Sequence, residues 1–183
     1  MTVRQCAEIG MAIALAIVLG AITRLVQLPY GGSINLSGLP IIAMALRHGV
    51  KFGATTGALF GIVDFMLNPY YFHPVQVVLD YPLAFALLGA GTGIAAGAVN
   101  DGRARMRIIV LGSLFVAGVM RLAIHWVSGM VFFANFAPEG QPVWLYSLTY
   151  NSSYVIPEVI SYMLLSQFIL RFINSAHRKV ANE

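Results

Sequence analysis

The sequence predicts an all-α integral membrane protein, a six transmembrane helix bundle with its N- and C-termini cytoplasmic, built by residues 1–183 as a single transmembrane domain. Three observations predict it. The chain is 58% hydrophobic and only 10% charged, with a mean hydropathy of +0.78, whereas soluble domains are about 25% charged. Its apolar residues fall into six stretches separated by Gly and Pro clusters, and its basic residues fall on alternate connections between them.

The first stretch, Ala7 to Val26, follows Arg4 and has the look of a secretory leader. Its apolar core is long enough to span about 30 Å at about 1.5 Å per residue. Glu8 interrupts its start and no small-residue cleavage site follows, so an uncleaved helix is expected. The second stretch, Leu36 to Leu46, is short, and its Leu36 to Leu39 start is expected to be tilted or irregular. Val50 to Leu67, Val77 to Val99, Arg107 to Phe133 and Leu148 to Phe172 follow as four further spans. Strand-like alternation is absent, which argues against a β-barrel.

Orientation follows from charge. With six spans, Arg4, Arg47, Lys51, the Arg103 to Arg107 cluster, Arg171, Arg178 and Lys179 share one side, and only Arg24 falls near the other. The positive-inside rule makes the basic side cytoplasmic. The pI near 9.5 is then explained by topology, and no nucleic-acid partner is expected. Cys6 is the single cysteine, which excludes an internal disulfide and a Cys-rich metal site. No Gly-x4-Gly-Lys-Ser/Thr pattern occurs, so the chain should not hydrolyse ATP by itself, and no clear internal repeat marks it as a gradient-driven carrier. Gly91-Thr92-Gly93 with Ala96 echoes a dinucleotide fingerprint, but no strand precedes it; no cofactor is expected.

Small residues recur every fourth position at Gly49, Gly53, Gly57 and Gly61, at Gly89, Gly93 and Gly97, and at Ala12, Ala16 and Gly20. Such spacing lets helix backbones approach closely in lipid. Two of the ridges are expected to pack inside the bundle. The Ala12, Ala16, Gly20 strip on the terminal helix is the candidate for docking a partner protein.

Polar side chains are costly in a membrane and usually have a job there. Asp80 opens the fourth span, Tyr150 and Asn151 open the sixth, and His125, Trp126, Gly129 and Phe133 lie in the outer part of the fifth. Tyr30, Ser33 and Asn35 in one outer loop, with Trp144 and Tyr146 in the last, are placed to cover the same level. Tyr and Trp at an interface are by default an aromatic belt. A carboxylate, an amide, an imidazole and several rings at one level instead form a site for a small, flat, polar molecule. Arg121 and Glu158 sit roughly three turns deeper, as a buried ion pair or a proton relay. Asp64 and Asp80 are available to an intramembrane protease, yet neither lies in a Gly-x-Gly-Asp setting and no Gly-x-Ser-Gly occurs, so the chain is not expected to be an enzyme.

At these residues the chain resembles the thiamine-specific substrate-binding subunits, the S-components, of bacterial energy-coupling factor (ECF) transporters. The resemblance is carried by Pro29-Tyr30-Gly31-Gly32-Ser33, Ala45-Leu46-Arg47-His48-Gly49, His73-Pro74-Val75-Gln76, Leu79-Asp80-Tyr81-Pro82, His125 with Ser128-Gly129, Ala137-Pro138, Tyr146-Ser147, Tyr150-Asn151 and Pro157-Glu158, in order along nearly the whole chain. It implies a multi-pass protein of the bacterial cell membrane that captures thiamine at the outer face. It also implies a first outer loop closing over the site, and an ECF module of one transmembrane coupling protein and two ATPases as partner. The ligand residues it implies are Asp80, Tyr81, His125, Gly129, Phe133, Tyr146 and Asn151; Tyr30, Trp126, Trp144 and Tyr150, by their level alone, are expected as lid or secondary contacts. Family members commonly carry tryptophan where Phe133 stands, and some carry glutamate in place of Asp80. The alternative reading is a subunit for another vitamin or a structural membrane subunit.

Overall fold

The computed structural model describes residues 1–23, 26–28, 32–100 and 105–180, with 26, 27, 100 and 172–180 as backbone only. Among the described residues, five segments are long and apolar enough to cross a membrane: Val3–Thr23, Val50–Leu67, Pro74–Gly93, Met106–Phe132 and Val143–Arg171. The first (α1), second (α3) and fourth (α7, Met106–Phe132) are single helices. The last is part of α8, Val143–Val180.

The expected second span is not among the five. It forms α2, Gly38–His48, whose 11 residues cover only about 16 Å. The outer half of that position is taken by irregular chain and a two-stranded antiparallel ladder, Val26–Gln27 (β1) with Ser33–Ile34 (β2). α2 is largely buried and ends at Gly49, whose φ of +89° starts the turn into α3.

The fourth span begins earlier than expected and is not one continuous helix. It runs as α4 (Pro74–Val78), a π-helical turn (Leu79–Leu83), α5 (Ala84–Gly93) and, after a two-residue turn, α6 (Ala96–Asn100). Pro74 suits a first helical position, where a missing N–H costs nothing. Pro82 lies inside the π turn. A proline ring there has no N–H to donate and crowds the preceding turn, so the backbone widens. Asp80 and Tyr81 are carried on that widened turn.

α3 packs most extensively on α5, and the glycine ridges explain how. A Cβ at Gly53 or Gly89 would fall on the other's backbone, one at Gly57 on Phe85, and one at Gly93 on Val50. Gly97 instead faces open space. The third strip also packs inward, contrary to expectation. Ala16 is fully buried in the central core cluster, and Gly20 lies against Ser37. Ala12 is half-buried. Spacing makes a smooth strip but does not say which way it faces; here α1 turns it toward α2 and α3, which removes it as a docking surface.

Around these crossings the core is built from Phe60 edge-on to Phe85 at 4.7 Å, Ile41, Ile42, Leu88, Leu114 and Tyr162. Gly89→Ala should lower stability by about 1–3 kcal/mol through overpacking. Gly112→Ala, at a glycine of α7 with open space around it, should be neutral or stabilising by up to about 1 kcal/mol. Thermal unfolding in detergent checks both, and equal behaviour of the two variants would contradict the close crossing.

Candidate functional site

At the end of the bundle away from Arg47, Arg105 and Arg107, the widened turn, α7, α8 and the segment around Gly32 enclose a cavity of about 440 Å³. That volume suits a small organic ligand. Asp80, Tyr81, His125, Gly129, Phe133, Tyr146, Tyr150 and Asn151 all line it. Trp126 and Trp144 do not: the Trp126 indole N–H donates to the Trp144 carbonyl at 2.8 Å, pinning the start of α8 to α7 outside the cavity. Tyr30 lies outside the described residues. Tyr146 and Trp144 stand on the first turns of α8 rather than in a loop, because the Pro142 carbonyl already accepts from the Leu145 and Tyr146 N–H groups.

Asp80 is the charged centre. Its Oδ1 lies 3.1 Å from His125 Nδ1, and its Oδ2 accepts from Gln76 Nε2 at 2.8 Å. His125 is buried and its Nε2 has no partner. In a neutral ring that donates from Nδ1, Nε2 is an acceptor; in the imidazolium it is a donor. Beside it, Asn151 Nδ2 donates to the Ser147 carbonyl at 2.8 Å and the His125 carbonyl at 3.2 Å, and Oδ1 accepts from Tyr154 at 2.6 Å. Asn151 therefore ties α8 to α7 and keeps only a spare carbonyl lone pair. Gly129 allows this approach, since a Cβ there would fall on Ser147.

Rings form the remaining walls. Phe133 stacks on Tyr70 at 6.0 Å and tilts against Phe72 at 5.5 Å, while Tyr146 and Tyr150 stack at 6.1 Å. The Tyr81 hydroxyl donates to the Asn68 carbonyl and accepts from the Tyr70 N–H, both at 3.0 Å, holding the α3–α4 loop over the site. The Tyr150 hydroxyl accepts from the Gly32 N–H at 3.1 Å, fastening the other loop.

Arg121 and Glu158 pair at 2.6 Å, both buried. The pair does more than hold two helices, because Arg121 also lines the cavity and Glu158 accepts from the Asn35 N–H at 3.0 Å. Sequence reasoning missed Gln76, Asp64, Tyr70 and Phe85 as lining residues. For Gln76 a signal was present: it sits one helical turn before Asp80, in a His-Pro-x-Gln helix start. Among the described residues no cluster of three or more His, Cys, Asp or Glu could hold a metal.

The family described as "Thiamine transporter protein (Thia_YuaJ)" matches residues 6–178. A protein named thiamine transporter ThiT from Bacillus subtilis is 39% identical over 159 residues, covering 84% of this chain and 83% of the relative. A protein of the same name from Lacticaseibacillus paracasei is 32% identical over 127 residues, covering 64% and 63%. The solved structure of ThiT from Listeria monocytogenes superposes with a TM-score of 0.78 at 24% identity, covering 91% of this chain and 92% of that one. That likeness shows the fold.

Removing one member of the deep ion pair leaves a buried charge alone, so Glu158→Gln should cost about 3–5 kcal/mol. Adding Arg121→Met to it should recover part of the loss. Thermal unfolding of the single and double variants measures the coupling; simple additivity would mean that the two side chains do not interact.

Proposed function

The chain belongs to the family of thiamine transporter proteins, and we propose that it is the thiamine-binding S-component of an ECF-type importer of the bacterial cell membrane. The observation that carries this reading is Asp80: a carboxylate inside an aromatic-lined cavity, flanked by an imidazole with an unused Nε2. Thiamine joins a permanently cationic thiazolium to a flat aminopyrimidine, so its charge cannot be removed to ease burial. Asp80 neutralises that charge, and Phe133 and the tyrosines add ring faces, each cation–π contact contributing roughly 0.5–2 kcal/mol. His125 Nε2 and the spare lone pair of Asn151 meet the polar edges of the ligand.

Both termini are cytoplasmic in this reading, and the cavity lies opposite the basic end, so it opens outward by the positive-inside rule. The sequence has no phosphate-binding loop, and ATP hydrolysis falls to two partner ATPases joined through a coupling protein. With Ala16 and Gly20 buried, docking uses the face of α1 that the bundle leaves uncovered, around Gly10, Met11 and Ala14.

The purified protein should bind thiamine in calorimetric titration and release it on denaturation for detection by mass spectrometry. Asp80→Asn should weaken binding more than tenfold, and neutral pyrimidine analogues less; equal affinity in wild type and variant would remove Asp80 from the site. Phe133→Ala should weaken binding strongly and Phe133→Trp should preserve or improve it. Should tryptophan prove as damaging as alanine, Phe133 packs against its neighbours rather than against the ligand. Uptake by reconstituted vesicles should require the ECF module and ATP.

A further inference from the structure

We propose that Gln76 is a positioning residue for ligand binding, whose neutral amide aims the Asp80 carboxylate without cancelling its charge. The inference rests on the thiamine-binding reading above and adds a residue to it.

Gln76 is only 1% exposed, yet it carries no hydrophobic side chain for the core. Its position follows from the start of α4. His73 caps the helix by accepting the Val75 N–H on Nδ1 at 3.1 Å, and Pro74 follows as the first helical residue. Gln76 is then the third, where a Gln side chain reaches back to an orphan N–H. Its Oε1 does so, accepting from Phe72 at 3.1 Å.

That bond fixes which end of the amide faces the cavity. Nε2 donates to Asp80 Oδ2 at 2.8 Å and to the Tyr70 carbonyl at 3.3 Å. A flipped amide would set its oxygen against a carboxylate and a carbonyl, and its NH2 against an N–H; the network permits one orientation. One side chain thus fastens the loop that carries Tyr70 and Phe72, the rings against Phe133, to the anionic centre.

Neutrality is the point of the choice. Asp80 needs a second donor besides His125 to hold its plane, and Arg or Lys would supply one while compensating the charge that a cationic ligand must find. An amide holds the oxygen and leaves the charge. The titratable or charged groups lining the same cavity besides Asp80 are Asp64 on α3, Tyr70 on the loop between α3 and α4, Tyr81 on the π turn, Arg121 and His125 on α7, and Tyr146, Tyr150 and Tyr154 on α8. Substitution at Gln76 changes none of them.

Two variants of the full chain in detergent test this, titrated with thiamine and with an isostere whose thiazolium is replaced by a neutral thiophene. Gln76→Met keeps volume and loses both bonds; thiamine affinity should fall at least tenfold and the isostere less than threefold. Gln76→Glu keeps the acceptor for Phe72. At low pH its carboxyl shares a proton with Asp80 and stands in for the lost donor. Thiamine binding should be near wild type there and should fall as pH rises, with no matching fall in wild type. A purely structural role would weaken both ligands equally in Gln76→Met and give Gln76→Glu the pH profile of wild type, and that pair of results overturns the proposal. Failure of wild type itself to bind thiamine overturns the functional reading and this inference with it; normal wild-type binding with unchanged selectivity in the variants overturns this inference alone.

Discussion

Everything at the cavity end hangs on a charge that cannot be left alone. Glu158 is fully buried in the middle of α8, where an unpaired carboxylate would be far more expensive than most single interactions are worth. Arg121 of α7 answers one of its oxygens and the Asn35 N–H the other. The guanidinium also lies over the Phe85 ring of α5 at 4.7 Å. One ion pair therefore fixes α5, α7, α8 and the stem of the first loop against one another. The Tyr162 hydroxyl adds a second fastening there, donating to the Asn35 carbonyl at 3.2 Å. The upper cavity can be open and polar because its floor is closed by this ion pair and the Asn35 backbone bonded to it.

Above that floor the geometry is set by backbone irregularity together with the two loops fastened over the site. Pro82 widens the helix at the level where Asp80 is needed, and the short α2 leaves the space that the cavity occupies. A regular sixth helix in that place would fill it. Close glycine crossings between α3 and α5 pack the rest of the bundle tightly beside it.

Much of this was legible in the sequence, for identifiable reasons. Hydropathy located the long spans because lipid demands unbroken apolar helix, and intramembrane polar residues located the cavity because burial makes them conspicuous. Direction and reach were not legible. Ala12, Ala16 and Gly20 have the spacing of an interface whichever side they face. Trp126 is next to His125 in the chain but about 100° away around the helix, and its indole found a carbonyl outside the site. Gln76 carries no charge and no ring, so nothing in composition marks it; only the pairing of a helix-start pattern with a carboxylate one turn later does so. The half-length of α2 was visible as a short apolar run, whereas the ladder replacing its missing half has only two residues per strand, too few for alternation to register.

That ladder bears on how a chain segment can sit at membrane depth without being a helix. Backbone exposed to hydrocarbon must have its N–H and C=O groups paired. Here β1 pairs with β2, and the Leu28 N–H donates to the Gly32 carbonyl at 2.7 Å. Among the described residues the ladder pairs with itself, and the ties to the bundle are separate: the Tyr150 hydroxyl at Gly32, Glu158 and Tyr162 at Asn35, and the Thr23 hydroxyl accepting from the Leu36 N–H at 2.9 Å. Four separate hydrogen bonds thus fix the described ends of this segment to α1 and α8, so its hold on the bundle is shared among side chains of two helices rather than carried by a sheet edge.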